Sequence, residues 1–297
     1  VKIVECVPNF SEGRREKVID QIVTAMTGCA GAQVLDVQSD PDHNRSVVTL
    51  VGEPKAVVKA AFQGIAQAAK LIDMNHHRGE HPRMGATDVV PFVPIRGLKM
   101  EDCVEFARQL GKRVGDELGI PVYLYEAAAT RRERCNLADV RRGEYEVLKE
   151  EIGTDRDRTP DFGPAALGTA GATAIGARPA LIAYNVYLNS DDVKPAQAIA
   201  RAVRHSSGGL RHVKALGLLV EGQAQISMNL TDYLHTPVHR VLEMIRSEAA
   251  RHGLTVTHTE VVGLLPAEAL IDAARFYLQL ADLSPSQILE NRLSDEA

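Results

Sequence analysis

Eleven consecutive residues, Asn75-His76-His77-Arg78-Gly79-Glu80-His81-Pro82-Arg83-Met84-Gly85, hold three of the ten histidines in the chain, with two arginines and a glutamate. An imidazole with an unperturbed pKa of about 6.5 takes up and releases protons near neutrality, so one of these histidines could serve as an acid–base group. A second chemistry is metal binding by His77, Glu80 and His81. On a helix His77 and His81 would share a face, but Gly79, Pro82 and Gly85 prevent a regular helix and remove that geometry. A third reading is a polar connection whose histidines satisfy local hydrogen bonds. Residue types alone leave these readings open, with metal binding the least supported by the spacing.

A shaped loop carries function when rigid elements hold its ends, and periodicity supplies those elements. Residues 3–8 read as a strand that runs into Asn9-Phe10-Ser11-Glu12-Gly13, and Val18, Ile19, Ile22, Val23 and Met26 recur at helical spacing. Residues 32–37 and 46–51 are β-like around Asp40-Pro41-Asp42. Pro54 occupies a first helical position ahead of the stripe Val57, Val58, Ala61, Phe62, Ile65 and Ala69. Residues 88–95 form a strand beyond the histidine loop, followed by a helix (Cys103, Phe106, Ala107, Leu110, Val114 inward) and a strand at 122–125. Residues 131–159 are charged and partly helical, and a Gly- and Ala-rich stretch follows.

The second half repeats the programme. A strand at 181–188 is followed by a helix marked by Ala196, Ile199, Ala200 and Val203, then strands at 213–220 and 225–230. A helix opened by the capping pair Thr236-Pro237 and a strand at 254–262 complete the set. The expected fold class is therefore α+β, with two ferredoxin-like (βαββαβ) subdomains, each a mostly antiparallel sheet with helices on one face. Residues 1–178, including a connecting segment at 131–178, form the first subdomain and residues 179–297 the second. Each one-sided sheet would leave an apolar face uncovered, and stacking those faces would bury both and offer a ligand cleft at the seam.

Composition narrows the function. With 297 residues, 45% hydrophobic and 25% charged, the chain can bury two cores. A net charge of −5 and an aromatic share of 4% with no Trp argue against a nucleic-acid binder. Cys6, Cys29, Cys103 and Cys135 are scattered without a CxxC pair, the pattern of reduced thiols in a cytoplasmic protein rather than a zinc site. No apolar run is long enough for a membrane span, and the N-terminus lacks the layout of a signal peptide.

Several long segments resemble the formiminotransferase family. They are Val4-Glu5-Cys6-Val7-Pro8-Asn9-Phe10-Ser11-Glu12-Gly13, Gly79-Glu80-His81-Pro82-Arg83-Met84-Gly85-Ala86 and Pro121-Val122-Tyr123-Leu124-Tyr125, with Arg142-Gly143-Glu144-Tyr145-Glu146, Pro160-Asp161-Phe162-Gly163-Pro164, Gly171-Ala172-Thr173 and Gly176-Ala177-Arg178. The matches run almost end to end. The resemblance implies transfer of the formimino group from N-formimino-L-glutamate to tetrahydrofolate, giving 5-formiminotetrahydrofolate and L-glutamate in histidine degradation and one-carbon metabolism. It also implies two α/β subdomains around a folate-holding passage, a cytoplasmic homodimer, tetrahydrofolate as co-substrate and no metal. His81 stands at the family's catalytic histidine. The segment from Gly163 through Pro164 to Gly171 stands where the family binds folate, although it reads Gly-Pro-Ala-Ala-Leu-Gly-Thr-Ala-Gly where vertebrate relatives carry bulkier residues, including a Trp. Vertebrate relatives are fused to a cyclodeaminase; this chain ends near the expected edge of the transferase domain, so that second activity is not expected.

One histidine placed between two nitrogens could take the proton from the attacking amine and return it to the departing one. Both substrates carry carboxylates, which arginine's planar fork suits, and Arg45, Arg78, Arg83 and Arg178 are candidates alongside the alternative of structural roles. Asn9, Phe10 and Ser11 either present a turn to the ligand or form an ordinary helix approach. Glu80 either orients a histidine or lies in solvent. Met84 and Phe162 read as packing residues, and His43, His212 and His258 as structural or surface groups. A formyl-donor variant of the same enzyme and a non-catalytic folate-binding module are the alternatives.

Overall fold

The computed structural model describes residues 1–79 and 81–294. Glu80 thus lies outside the described residues. The chain divides into two compact units, Val1–Pro179 and the remainder from Ala180.

The first unit contains β1 (Ile3–Cys6), β2 (Asn9–Phe10), α1 (Glu16–Thr27), β3 (Ala32–Asp40), β4 (Arg45–Gly52), α2 (Pro54–Leu71), β5 (Thr87–Arg96), α3 (Met100–Arg113), β6 (Val122–Glu126), α4 (Leu137–Val140), α5 (Glu144–Glu151) and β7 (Thr173–Ala177). The strand expected at residues 3–8 is broken into β1 and β2, because Pro8 has no N–H to give to the ladder; its carbonyl still accepts from Val48 N at 3.0 Å. Across the sheet β3 pairs β4, and β4 pairs both β1 and β2, which in turn pair β5, all antiparallel. That is the ferredoxin-like order.

The sheet then continues past β5 with β7 and β6, both in parallel register. Periodicity predicts no strand at β7, which is short and built of Thr, Ala, Ile, Gly and Ala; all five residues are nevertheless buried, between β5 and the edge strand β6. Small side chains weaken the alternation signal that periodicity relies on. On one face, Val48, Leu50, Val90, Phe92, Leu124 and Ile175 pack against residues of α1, α2 and α3. On the other, Met84, Val89, Tyr123, Tyr125 and Ala174 pack against Val140, Leu148 and Ile152 from the α4–α5 region.

The second unit holds β8 (Ile182–Leu188), α6 (Val193–Val203), β9 (Val213–Val220), β10 (Gln223–Leu230), α7 (Val238–Arg251), β11 (Val256–Val262), α8 (Ala267–Leu278) and α9 (Leu289–Ser294). Its four strands run in the order β11-β8-β10-β9, all antiparallel, the ferredoxin-like arrangement again. Alternate residues Ile182, Tyr184, Val186 and Leu188 face Ala196, Ile199, Val203, Val241 and Ile245 from α6 and α7. The α7 helix begins at Val238. Thr236 caps nothing there; its Oγ1 instead donates to the Arg211 carbonyl at 2.6 Å.

Candidate functional site

The histidine loop joins α2 to β5 and is seated by backbone contacts that two of its glycines permit. A Cβ on Gly79 would lie 2.3 Å from the His43 carbonyl oxygen, and one on Gly85 would lie 2.2 Å from that of Ala172. Asn44, with a left-handed backbone at φ 49°, is the fastener. Its Oδ1 accepts from Gly13 N at 3.0 Å, its Nδ2 donates to the Arg78 carbonyl at 2.8 Å, and its own carbonyl accepts from His77 Nε2 at 3.0 Å. On the other side Ala86 N donates to the Ala170 carbonyl and Ala172 N to the Met84 carbonyl, at 2.8 and 3.0 Å. The end of the 163–171 segment is therefore bound to the loop that carries His81.

His81 donates from Nδ1 to the Pro82 carbonyl at 2.7 Å, which leaves the lone pair on Nε2, where Arg45 Nη1 donates to it. Burial and the nearby Arg45 and Arg141 cations push this imidazole down to about 3, so the ring is neutral at ordinary pH. Arg45 is the first residue of β4 and alternates with Ser46 and Val48, so its side chain leaves on the face away from α1 and α2. Burial together with the Arg141 charge lowers Arg45 to about 10, and its Nε finds no partner among the described residues. The counterion is Asp88, which accepts from Arg141 and, at 3.0 Å, from Met84 N. Asp88 reaches that position through an irregular register: Phe10 opposes Thr87 and Asn9 opposes Val89, which leaves Asp88 as the additional residue of a bulge. His43, whose Nδ1 pairs with Asp40 Oδ2 at 2.6 Å, stands edge-on to His81 with ring centroids 6.1 Å apart. The corner thus presents an acceptor nitrogen among cations. It is suited to proton transfer next to an anionic ligand.

The other candidate residues are placed differently. Arg83 is buried and its guanidinium is fully engaged, by Glu144 at 2.6 Å, Glu146 at 2.6 and 2.8 Å, and His77 Nδ1 at 3.3 Å. These contacts fix α5 and His77 rather than a ligand. Arg78 is exposed, with Nη1 on the His77 carbonyl at 2.7 Å. Phe10 is fully buried in the helix-side core. The Asn9 amide closes on the Val7 carbonyl at 2.8 Å, whereas Ser11 Oγ donates to the Gly85 carbonyl at 2.7 Å and so supports the loop. Gly171 bridges to Gly85, whereas Gly163 packs on the Ile120 carbonyl and Pro164 is exposed.

Arg178 follows β7 and therefore sits at the opposite end of the parallel strands from His81, its N–H on the Phe92 carbonyl at 3.0 Å. Burial pushes the Tyr125 phenol up, while the nearby Arg178 and Arg141 charges pull it back. Sequence reasoning did not single out Asn44, Asp88 or Arg141. A lone aspartate at the head of the apolar run Val89-Val90-Pro91-Phe92-Val93 was the available signal for Asp88; the other two carried none.

Two family descriptions match the chain: "Formiminotransferase domain, N-terminal subdomain" over residues 3–178 and "Formiminotransferase domain" over residues 183–292. A glutamate formimidoyltransferase of Thermoplasma acidophilum is 51% identical over 301 residues, covering 100% of this chain and 99% of the relative. A glutamate formimidoyltransferase of Streptococcus pyogenes serotype M1 is 48% identical, covering 98% and 99%. The formimidoyltransferase-cyclodeaminase of Mus musculus is 45% identical over 93% of this chain, which spans 52% of that longer protein.

Proposed function

The chain belongs to the formiminotransferase family, and from that premise we infer that it is a glutamate formimidoyltransferase, moving the formimino group from N-formimino-L-glutamate to tetrahydrofolate. The observation that carries the mechanism is the Nε2 lone pair of a neutral His81 held beside Arg45 and Arg141. N5 of tetrahydrofolate attacks the amidine carbon, a C–N bond forms, and the proton leaving N5 passes to Nε2. The bond from that carbon to the glutamate nitrogen then breaks, and His81 returns the proton to the departing nitrogen. Atoms and charge balance, and the imidazole ends neutral. Tetrahydrofolate is a co-substrate; the steps assigned to His81 require no other cofactor.

Arg45 and Arg141 suit the donor's carboxylates, and their neutralisation strengthens the base: an arriving carboxylate draws Arg45 from Nε2 and removes part of what, with burial, holds the imidazole low. Arg178, at the far end of the parallel strands, suits the glutamyl tail of folate, and the Gly163–Gly171 segment suits its ring. Holding both substrates in register supplies much of the remaining rate. Family membership also supports a cytoplasmic homodimer, which sedimentation of the purified protein checks. Among the described residues no helix is long and apolar enough to cross a membrane.

Purified protein given formiminoglutamate and tetrahydrofolate is expected to form 5-formiminotetrahydrofolate, faster than it uses a formylglutamate donor. His81→Ala is expected to lower kcat by about 100-fold or more with an unchanged circular dichroism spectrum. Turnover near the parent rate in that variant would remove His81 from the chemistry.

A further inference from the structure

The second unit brings together His212, Asp232 and His235, whose potential ligand atoms all lie within 4.8 Å of one another. Among the described residues no other group of three His, Cys, Asp or Glu side chains meets that spacing. The sheet builds the cluster. Val213 at the start of β9 pairs with Leu230 at the end of β10, and the next rung is His212 with Thr231. There the His212 carbonyl accepts from Thr231 N at 2.8 Å and Thr231 Oγ1 at 3.2 Å. His212 takes a left-handed backbone, φ 60°, immediately before β9.

Asp232 then opens the turn into α7. Its Oδ1 accepts from His235 N at 3.2 Å, its carbonyl accepts from Thr236 N at 3.1 Å, and Thr236 Oγ1 returns to the Arg211 carbonyl at 2.6 Å. The turn is therefore tied to the His212 strand on both sides of the cluster. Asp232 Oδ2 lies 2.7 Å from His235 Nδ1. The two rings are tilted by 42° with centroids 5.7 Å apart, so they approach without stacking.

We propose that His212, Asp232 and His235 form a site for a divalent transition-metal ion of the zinc class, which fastens the start of β9 to the turn between β10 and α7. Two imidazoles and one carboxylate favour zinc, cobalt or nickel over magnesium or calcium, which take oxygen ligands. Round a tetrahedral zinc the ligand atoms stand about 3.3 Å apart. The side chain of His235 is 75% exposed, so it can rotate to close the gap without backbone movement. Water takes the fourth position. The site is separate in sequence and chemistry from the His81 corner and does not depend on the activity assigned there.

The test is a Co2+ titration of the full chain after chelator treatment, read in the visible absorption of the bound ion, with Zn2+ as competitor. One equivalent is expected to saturate, Zn2+ to displace it, and Zn2+ to raise the thermal unfolding midpoint. His212→Asn, which keeps a residue tolerant of the left-handed backbone, and His235→Gln should each weaken binding by about tenfold or more. His81→Ala and Cys135→Ser should leave it unchanged, since they alter ligand groups outside the cluster. Absence of saturation below about 1 mM, equal binding in both His212→Asn and His235→Gln, or loss of binding in His81→Ala or Cys135→Ser would each overturn the proposal.

Discussion

At the scale of single residues the proposed chemistry rests on how Arg45 and His81 share one hydrogen bond. The imidazole is held down to about 3 by burial first and by the Arg45 and Arg141 cations next. The unfolded chain binds a proton on this histidine below its ordinary 6.5, and the folded chain does not until about 3. Folding is therefore weakened as pH falls through that window, and His81 exerts no pull on stability above it. Arg45→Gln removes one of the two cations, so the folded pKa should rise and the window should narrow from below. A histidine NMR titration checks this: one resonance, identified by its loss in His81→Ala, should be flat between pH 5 and 8 in the parent and should move at the acid end of that range in Arg45→Gln. An unmoved resonance would mean that burial and Arg141 set the value without Arg45. The loop that carries His81 stands out in the sequence because it is densely polar and lies in a long family motif. Its partners were not. Arg141 comes from a charged connecting segment where nothing marks one arginine among several, and Asp88 owes its direction to a bulge that periodicity does not reveal.

At the scale of elements, the site depends on two loops touching backbone to backbone. Gly171 has φ 69°, and a Cβ there would meet the Met84 carbonyl oxygen at 2.3 Å. Gly119 also has a left-handed backbone, φ 63°, but with nothing within 4 Å of the place a Cβ would take. The pair separates conformational strain from crowding. Gly119→Ala should cost about 1–2 kcal/mol, the left-handed penalty alone. Gly171→Ala should cost that plus roughly 1–3 kcal/mol for the overlap, and should lower kcat because it displaces the loop that bears His81. Chemical denaturation with the m-value held constant checks the first part, and steady-state kinetics the second. Equal losses at the two positions would show that the loops yield without strain. The elements themselves were largely readable: every strand and helix of the two βαββαβ repeats was anticipated from apolar spacing. Outside those repeats α8, α9 and β7 were not anticipated; β7 has side chains too small to write a period, and its place between β5 and β6 is dictated by parallel pairing rather than by local sequence.

At the scale of the whole chain, duplication of the βαββαβ unit gives each unit its own helix-side hydrophobic core among the described residues, one around Phe10, Phe92 and Leu124 and one around Ile182, Ile226 and Ile245. That division was legible because each half carries its own complete set of helical and alternating patterns, enough to bury a core without the other. The extension of the first sheet was not, since residues 131–172 look like a linker in composition but cover a sheet face with Val140, Leu148 and Ile152. Separate cores make a prediction about cooperativity. Ile226 is fully buried in β10, and Ile226→Ala should destabilise by about 2–5 kcal/mol. If each core is its own folding unit, amide hydrogen exchange in that variant should accelerate across β8 to β11 while β1, β4 and β5 keep their parent protection. Equal acceleration in both sheets would show that the two cores unfold as one, and the loss of a single isoleucine in the second unit would then loosen the His81 corner in the first.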